Sequence, residues 1–366
     1  MNIRTLIFCL LYCWGCFSQE ADIPHKWTVD LSSFYGSILL HNTDISHLIS
    51  EHPSGVILGF SKQTFGYEGW EEKFNYPDTG FSMVYQDMNN PTLGHNLGIY
   101  AHYNFYLLKR NLQFRIGQGV AYNTNPYDKT ENFRNNAYGT HLLSSTYLMM
   151  NYQKEKIFER LGIKAGISVV HYSNANVKAP NTSTNTFAFN AGLVYDLQGG
   201  ETLEFVKQGE QEFVKEPIKA NLVFRTGINE SDVINSGQYP FYILSAYADK
   251  RIGRLSSIQL GTDIFFSNFL KDLIRYQAVS FPELNVDPND DFKRVGIFLG
   301  HEFFINKMSI ITQLGYYVYY PFDFEGKVYN RVGLKRYFGE KWFAAVTLKS
   351  HAAKAEAVEI GVGIRL

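Results

Sequence analysis

The strongest constraint in this sequence is the length of its alternating segments. From about residue 55 to residue 366, apolar and polar residues alternate in runs separated by turn residues, which is typical of β-strands. Several runs reach about 12 to 15 residues, whereas strands of soluble proteins usually have about 5–6. A tilted strand needs about 9–11 residues to cross a bilayer. The pattern therefore favours an all-β fold whose strands span a membrane.

Composition supports the same fold class. Aromatic residues make up 16% of the chain, mostly Tyr and Phe, which suits the aromatic girdles at the two surfaces of a membrane barrel. After the N-terminal leader, no stretch approaches the ~18 consecutive apolar residues of a membrane helix. The formal net charge is −1, so the chain carries no basic footprint for nucleic acid and we expect no such partner.

We predict one transmembrane antiparallel β-barrel of about 14 strands, with counts of 12 to 16 open. The predicted strands are 53–66, 93–108, 111–123, 139–153, 159–173, 185–197, 218–228, 239–250, 254–267, 292–305, 308–320, 326–338, 341–350 and 355–366. If 28–40 and 80–88 are also strands, the count becomes 16.

The predicted connections are of two kinds. Tight turns, as at 109–111 and 153–156, largely alternate with longer polar loops, as at 124–138 and 174–184. Outer-membrane barrels have this asymmetry, with short periplasmic turns and longer outer loops. The charged connection 198–217 is long and falls on the periplasmic side by parity, so it departs from the pattern. No internal repeat is evident.

The N-terminus has the features of a secretory signal peptide over residues 1–18. Arg4 supplies a positive charge, an apolar stretch follows over 6–14, and cleavage is expected near Ser18–Gln19. A lipid-modified N-terminus at Cys16 is an alternative that its neighbours fit poorly. Because every cysteine lies in this leader, the mature chain is expected to have no disulfide and no thiol metal site.

Two segments remain after the leader. Residues 19–52 are expected to form a periplasmic or plug segment, or a short extra strand, in which Asp44 could cap one helical turn. Residues 53–366 are expected to form the barrel. The sequence does not predict an oligomeric state.

Polar side chains interrupt the lipid-facing row of one predicted strand. In the strand 161–173, the odd positions are apolar up to Val169 and then become His171 and Ser173. Side chains at i and i+2 share a face of a strand. Asn185 begins the corresponding row of the next strand. Polar groups at membrane depth are costly and point to function.

These residue types suit acyl transfer. A serine hydroxyl becomes a useful nucleophile when an imidazole takes its proton, and a third group holds the imidazole in orientation. Asn174 and Asn181 in the following loop could donate hydrogen bonds to an oxyanion. The alternative interpretation is an interfacial polar rim followed by an ordinary Asn-rich loop.

The segment 171–185, HYSNANVKAPNTSTN, resembles the signature of the PagL-type lipid A 3-O-deacylases. That signature is H-x-S-N-A, four variable residues, P-N, three variable residues and Glu. The resemblance covers some 15 to 30 residues strongly, and the rest of the chain agrees in barrel character. Its single departure is Asn185, which stands where the family has its acid.

The resemblance implies an outer-membrane serine esterase of a Gram-negative bacterium. Such an enzyme removes an ester-linked 3-hydroxyacyl chain from lipid A of the lipopolysaccharide in the outer leaflet. It implies His171 as general base, Ser173 as nucleophile, and Asn174 and Asn181 as oxyanion or loop support, with no metal and no other cofactor. An amide at Asn185 can orient an imidazole but cannot stabilise its positive charge as a carboxylate does.

Two other functions stay open. A barrel of more than eight strands can enclose a lumen, so a non-enzymatic pore or transporter of hydrophobic compounds with a degenerate motif is the main alternative. An adhesive surface protein using loops 124–138 and 268–291 is a third. His301-Glu302 lacks the second histidine of a zinc protease, and the acidic residues near 287–291 lack calcium-loop spacing.

Overall fold

The computed structural model describes residues 26–199, 204–209, 215–352 and 354–366. The expected signal peptide, residues 1–18, lies outside them. Sixteen antiparallel strands follow one another along the described chain. They are β1 (Lys26–Ile38), β2 (Ser54–Gln63), β3 (Asp78–Asp87), β4 (His95–Leu107), β5 (Leu112–Asn123), β6 (Leu142–Phe158), β7 (Leu161–Ser173), β8 (Thr184–Asp196), β9 (Lys219–Asn229), β10 (Tyr239–Arg251), β11 (Ser256–Ser267), β12 (Lys293–Phe304), β13 (Met308–Tyr319), β14 (Val328–Phe338), β15 (Trp342–His351) and β16 (Lys354–Arg365).

The strands close into two barrels of eight strands, not into one barrel. β1 pairs with β8 from Thr28↔Asp196 to Ile38↔Thr186, and β16 pairs with β9. The all-β barrel prediction is confirmed, but the expectation of one barrel over 53–366 is wrong. An alternating pattern states which residues form strands and leaves open which strand closes the sheet.

The first strand lies within residues 19–52, for which a plug segment was one of the expectations. β1 occupies Lys26–Ile38 and supplies the closing edge of the first barrel. The two optional strands of the sequence analysis, 28–40 and 80–88, both exist as β1 and β3, which brings the count to 16. The turn predicted at 153–156 lies instead at residues 159–160, because β6 runs on to Phe158 through an irregularity after Lys154.

The two faces of each strand have opposite polarity. Along β7 and β8, outward side chains such as Ile163 and Phe189 are exposed, while inward ones such as Lys164 and Ser168 are buried. The second barrel repeats this arrangement, with Leu260 outside and Asp263 inside on β11. Some exposed aromatic side chains lie at strand ends, as Trp342 does at the start of β15. This inside-out polarity is typical of membrane barrels.

Paired charges fill the lumen of the first barrel. Asp30 accepts a hydrogen bond from Arg115 at 2.6 Å and another from Lys164. Arg115 also donates through Nε to the side chain of Asn104 at 2.6 Å. All four side chains are buried. Buried charges are tolerated because opposite charges and hydrogen bonds satisfy them.

Several charge clusters occupy the second lumen. Arg331 bridges Asp263 at 2.9 Å and Glu359 at 2.6 Å. Further clusters are Glu302 with Lys335, and Glu356 with Arg294 and Lys349. An eight-stranded barrel is just wide enough for side chains to fill its interior. Both lumens are therefore packed.

The charged connection between β8 and β9 links the two barrels. This explains why the segment 198–217 is long although it lies at the end of the molecule where the turns are short. Its described part docks on the β2–β3 loop, where the Phe205 ring stacks on Tyr76 at 4.2 Å and packs near Phe65. The backbone N–H of Val206 donates to the carbonyl of Phe65 at 2.7 Å. A tight turn here would not reach from one closed barrel to the next.

The opposite end of the molecule carries the long loops. They connect β1–β2, β5–β6, β7–β8, β9–β10 and β11–β12, and the last contains helix α2, Phe269–Ser280. A shorter helix, α1 (Gly69–Lys73), lies in the β2–β3 loop, and 3-10 turns lie at Thr43–Leu48 and Pro282–Leu284. None of the helices in the described ranges is long and apolar enough to cross a bilayer.

The helical turn expected near Asp44 exists, but its cap differs. The side chain of Asn42 accepts a hydrogen bond from the backbone N–H of Asp44 at 2.9 Å. Asn42 is therefore the N-cap, and Asp44 lies in the first turn. The turn buries Ile45 and Leu48 against the top of the first barrel core.

The lumen charges generate a stability prediction. Replacing Asp30 with Ala leaves two buried cations, Arg115 and Lys164, without their carboxylate, which should lower the free energy of unfolding by about 3–5 kcal/mol. Urea unfolding of the refolded protein in lipid vesicles, followed by tryptophan fluorescence, measures this change. Asp87→Ala is the control, because Asp87 pairs with exposed His95 at the rim and should change stability by at most about 1 kcal/mol. Equal effects of the two variants would contradict the prediction.

Candidate functional site

Two adjacent strands of the first barrel bring His171 and Asn185 together. β7 and β8 pair from Leu161↔Tyr195 to Tyr172↔Thr184, and in this register His171 lies directly opposite Asn185. Their inward neighbours Tyr172 and Thr184 are buried, while His171 and Asn185 are half-buried on the outward row. The expected position on the lipid-facing side of the wall, next to the long loops, is therefore observed.

The hydrogen bond between the two side chains sets the tautomer of the imidazole. His171 Nδ1 lies 2.7 Å from Asn185 Oδ1. An amide oxygen only accepts, so His171 Nδ1 carries the proton and donates it. The other ring nitrogen, Nε2, is then unprotonated in the neutral ring and available as a base. Asn185 therefore orients the imidazole and supplies no negative charge.

Ser173 lies two residues further along the same face and is held by the following loop. Its Oγ donates to Asn181 Oδ1 at 3.0 Å and accepts from the backbone N–H of Ala175 at 2.9 Å. Among the hydrogen bonds of the described residues, none joins Ser173 to His171. Residues i and i+2 are about 6.6 Å apart along a strand. The structure therefore shows His171 and Ser173 on one outward row, each hydrogen-bonded to a different asparagine.

The two loop asparagines of the predicted site, Asn174 and Asn181, have different surroundings. Asn174 donates through Nδ2 to the carbonyls of Lys178 at 2.6 Å and Pro180 at 3.4 Å, so its amide closes the loop. Asn181 Oδ1 accepts from Ser173 Oγ and from the backbone N–H of Asn174 at 2.9 Å. Within the described chain, the amide nitrogen of Asn181 makes no hydrogen bond. Of these two described residues, Asn181 rather than Asn174 has an amide donor free for a ligand.

Residues 174–183, which we call the site loop, are held by the neighbouring β5–β6 loop. The backbone N–H groups of Thr182 and Ser183 donate to the carbonyls of Asn136 and Ala137, both at 3.1 Å. Gly139 packs so closely that a Cβ atom there would lie 2.5 Å from the carbonyl oxygen of Lys178. Only glycine permits this approach of the two backbones. The site loop is therefore part of a packed loop cluster.

The sequence analysis missed one residue next to the site. His41, from the β1–β2 loop, donates through Nε2 to the carbonyl of Thr182 at 3.0 Å. The same loop reaches the site from β1, where the N–H of Leu39 donates to the carbonyl of Asn185 at 2.7 Å. No local pattern around His41 marks it, because its role depends on β1 closing against β8.

The second barrel has a histidine at the corresponding strand end but a different arrangement. His351 ends β15, as His171 lies near the end of β7, and a tight turn leads directly to Lys354 of β16. The His351 side chain is buried inside the lumen, where Nε2 lies 3.1 Å from Glu356. It is therefore part of the lumen charge cluster and does not face lipid. In the described ranges, no group of three or more His, Cys, Asp or Glu side chains could hold a metal ion.

Family models match the chain in two consecutive parts that follow the two barrels. The model described as lipid A 3-O-deacylase (PagL) matches residues 54–194, from β2 to β8. The model described as acyloxyacyl hydrolase, C-terminal domain, matches residues 218–366, which contain the whole second barrel. Together the two matches cover most of the chain.

Comparisons with individual proteins give less information than the family models. No curated protein sequence matches this chain. Among solved structures, a triple mutant of Rhodopseudomonas blastica porin is 8% identical, with 94% of this chain and 99% of the porin covered and a TM-score of 0.18. Pseudomonas aeruginosa OccK11 is 10% identical, with 93% and 95% covered and a TM-score of 0.23. The fold assignment depends on the closed sheets themselves and not on these similarities.

The loop contacts generate a prediction about local order. Replacing Asn174 with Ala removes the amide that spans the site loop, so backbone hydrogen exchange over 174–183 should rise by about tenfold or more, since each lost hydrogen bond stabilises by about 0.5–1.5 kcal/mol. Hydrogen-exchange mass spectrometry of the refolded protein measures this. The control Asn289→Ala, in the exposed β11–β12 loop, should leave 174–183 unchanged. Unaltered exchange in the Asn174 variant would show that its amide does not hold the loop.

Proposed function

The chain belongs to the lipid A 3-O-deacylase family of outer-membrane β-barrel proteins, and from this membership we propose that it is an esterase that removes an ester-linked 3-hydroxyacyl chain from lipid A. In this proposal Ser173 is the nucleophile and His171 the general base. The observation that carries it is the outward row on which His171, oriented by Asn185, lies beside Ser173.

Acylation begins with a change of hydrogen-bond partner. Ser173 Oγ leaves Asn181 and turns toward His171 Nε2, a rotation between staggered side-chain positions. Catalytic hydrogen bonds are often incomplete before the substrate is bound. As Oγ attacks the ester carbonyl, its proton passes to His171 Nε2 and a tetrahedral oxyanion forms. Collapse of this intermediate breaks the bond to the lipid A oxygen, which takes the proton from His171.

The oxyanion needs donors that are already in place. The amide nitrogen of Asn181 lies on the residue that contacts Ser173 and has no other hydrogen bond within the described chain, which fits this role. Asn174 fits loop support instead, because its amide nitrogen is already bonded to two carbonyls. The two asparagines would therefore have different roles, Asn181 in stabilising the oxyanion and Asn174 in holding the loop.

Deacylation uses the same groups, with a water molecule as the attacking group and Ser173 Oγ as the leaving group. His171 Nε2 removes a proton from a water molecule, and the resulting hydroxide attacks the carbonyl of the acyl-serine. The bond to Ser173 Oγ breaks, Oγ recovers the proton from His171, and the 3-hydroxy fatty acid is released.

The position of the outward row supports a substrate that lies in the membrane. His171 and Asn185 continue an outward face that carries Val169 and Phe187 towards the bilayer interior. An ester of a lipid whose acyl chains lie along this wall would reach Ser173 without leaving the membrane. Lipid A in the outer leaflet has this geometry, provided that the long-loop end faces outward.

The main alternative, a pore or transporter of hydrophobic compounds, loses its basis in the structure. It depended on a barrel large enough to hold a lumen. Closure at eight strands, with Arg115 and Arg331 completely buried inside, leaves both interiors filled by side chains. We therefore do not favour it.

The nucleophile and the base provide the direct test. Ser173→Ala and His171→Ala should each lower kcat at least about 1,000-fold, because each removes a group that acts in the same covalent step. Mass spectrometry of lipid A incubated with the refolded protein measures release of the 3-hydroxyacyl chain. Ser168→Ala is the matched control, since Ser168 is on the lumen side of the same strand. Equal deacylation by wild type and both variants would remove the proposed roles.

Asn185 allows a gain-of-function prediction. Asn185→Glu places a carboxylate opposite His171, and a charge-assisted hydrogen bond to the imidazolium is stronger than the present neutral one by about 1.5 kcal/mol. We expect kcat to rise by about tenfold. Asn185→Ala should lower kcat, because His171 loses the acceptor that sets its tautomer. If the Glu variant were less active than the Ala variant, position 185 would not be the third member of the site.

A further inference from the structure

A loop of the second barrel lies against the site loop of the first. Residues 230–238, which we call the clamp loop, connect β9 to β10. The backbone N–H of Glu230 donates to the carbonyl of Asn176 at 3.1 Å, and Asn176 Nδ2 donates back to the carbonyl of Glu230 at 3.1 Å. Gln238 Nε2 donates to the carbonyl of Val177 at 2.9 Å. The two loops thus share a continuous set of hydrogen bonds.

The carboxylate of Glu230 is the centre of this contact. Oε2 accepts from the backbone N–H of Ala179 at 2.8 Å, and Oε1 accepts from the backbone N–H of Gly237 at 2.9 Å. One oxygen therefore binds the site loop and the other binds the clamp loop itself. Hydrogen bonds to a carboxylate are about twice as strong as those between neutral groups.

Burial makes this arrangement unusual. Glu230 is 1% exposed, and in the part of the chain that the structure describes no Lys, Arg or His forms an ion pair with it. Burying a carboxylate is costly unless hydrogen bonds replace its water. Two backbone N–H groups from different barrels provide them here. The free-energy cost of burying the carboxylate is offset only while the two loops remain in contact, so Glu230 couples the barrels.

The clamp loop is itself ordered by the second barrel. Ser231 Oγ and Ser236 Oγ are 2.7 Å apart, and the backbone N–H of Val233 donates to Ser231 Oγ at 3.2 Å. At the base of the loop, Asn229 Nδ2 donates to the carbonyl of Glu356 at 3.3 Å on β16. The loop therefore offers a fixed carboxylate to its neighbour.

The site loop needs such support. Ala175 and Asn176 have φ values of +54° and +62°, a left-handed conformation that residues other than glycine rarely adopt. Strained backbone persists only when surrounding contacts hold it. The clamp loop binds at Asn176 and Ala179, and the second of these precedes Asn181 by two residues. Asn181 is the residue that contacts Ser173 Oγ.

We propose that Glu230 is a positioning residue for the hydrolase site, through which the second barrel holds the site loop in the conformation that keeps Asn181 at Ser173. This role rests on the proposed function. The proposed role gives the C-terminal barrel a part in catalysis. That barrel has no outward serine–histidine pair of its own among the described residues at its β15–β16 turn. Glu230 touches no reacting atom and acts through the site loop.

The experiment compares Glu230→Ala, Glu230→Gln and the control Asp232→Ala in the full chain refolded into lipid vesicles. Asp232 lies two residues away in the clamp loop, is half exposed and pairs with Lys354. Two quantities are measured: hydrogen exchange over 174–183, and kcat and KM for lipid A deacylation. A heat-dependent shift in gel mobility verifies that each barrel protein is folded.

The expected result separates positioning from simple loss of structure. Glu230→Ala should raise exchange over the site loop at least about tenfold and lower kcat about 10- to 100-fold, with a smaller change in KM, because the loop orders the reacting groups more than it binds the acyl chain. Glu230→Gln keeps one carbonyl oxygen for Ala179 and should recover part of both losses. Asp232→Ala should behave as wild type.

Different outcomes would overturn different statements. If the wild type is active but Glu230→Ala changes neither the exchange nor kcat, the positioning role is overturned and the proposed function stands. An inactive wild type would overturn the proposed function and, with it, the role in catalysis. If Glu230→Ala did not fold, Gln238→Ala, which removes an exposed contact to Val177, should still raise site-loop exchange, and its failure to do so would count against the clamp.

Discussion

The structure depends on backbone hydrogen-bond closure. In hydrocarbon, an unpaired N–H or C=O group has no water to bind, so a sheet that spans a membrane must leave no open edge. Here that requirement is met twice, where β1 pairs with β8 and where β9 pairs with β16. Closure at eight strands fixes the lumen width, and the narrow lumen in turn determines that charged side chains pack against one another inside. The apolar outward rows follow from the same alternation, because successive side chains of a strand point to opposite faces.

Against that apolar wall, the polar residues at the outer end of β7 and β8 are the exception. His171 and Asn185 satisfy each other across the strands, which lowers the cost of placing them beside lipid, and Ser173 is satisfied by the site loop. The site is therefore assembled from two strands that provide rigid positions and one loop that provides the remaining donors. The corresponding strand end in the second barrel differs, because β15 and β16 are joined by a tight turn and His351 points inward to Glu356. The second barrel instead contributes the buried carboxylate of Glu230 to the loop of the first.

Much of this could be predicted from local patterns, and the failures share one cause. The strand lengths, the loop asymmetry and the outward position of His171 follow from period-two alternation, which is a local property. The pairing of His171 with Asn185 also follows, because strands joined by a short loop are neighbours. The partition into two barrels does not, since alternation is the same for a strand that pairs with the next one and a strand that closes a ring. For the same reason 198–217 had no explanation as a turn, and His41 and Glu230 gave no signal.

The sequence by itself determined that this chain forms membrane-spanning strands, which residues face outward along each of them, and that His171 and Ser173 lie on one such face. These properties are set by the side-chain order within a strand and need no distant contact. Only the tertiary structure decided that the strands close as eight plus eight, that Asn174 supports the loop while Asn181 contacts Ser173, and that the second barrel holds the site loop through Glu230. The strand closure and the Glu230 contact join residues far apart in the chain, so they exist only once the strand ends and loops come together. The two asparagine contacts are within the site loop, and they depend on the conformation in which the neighbouring loops hold it.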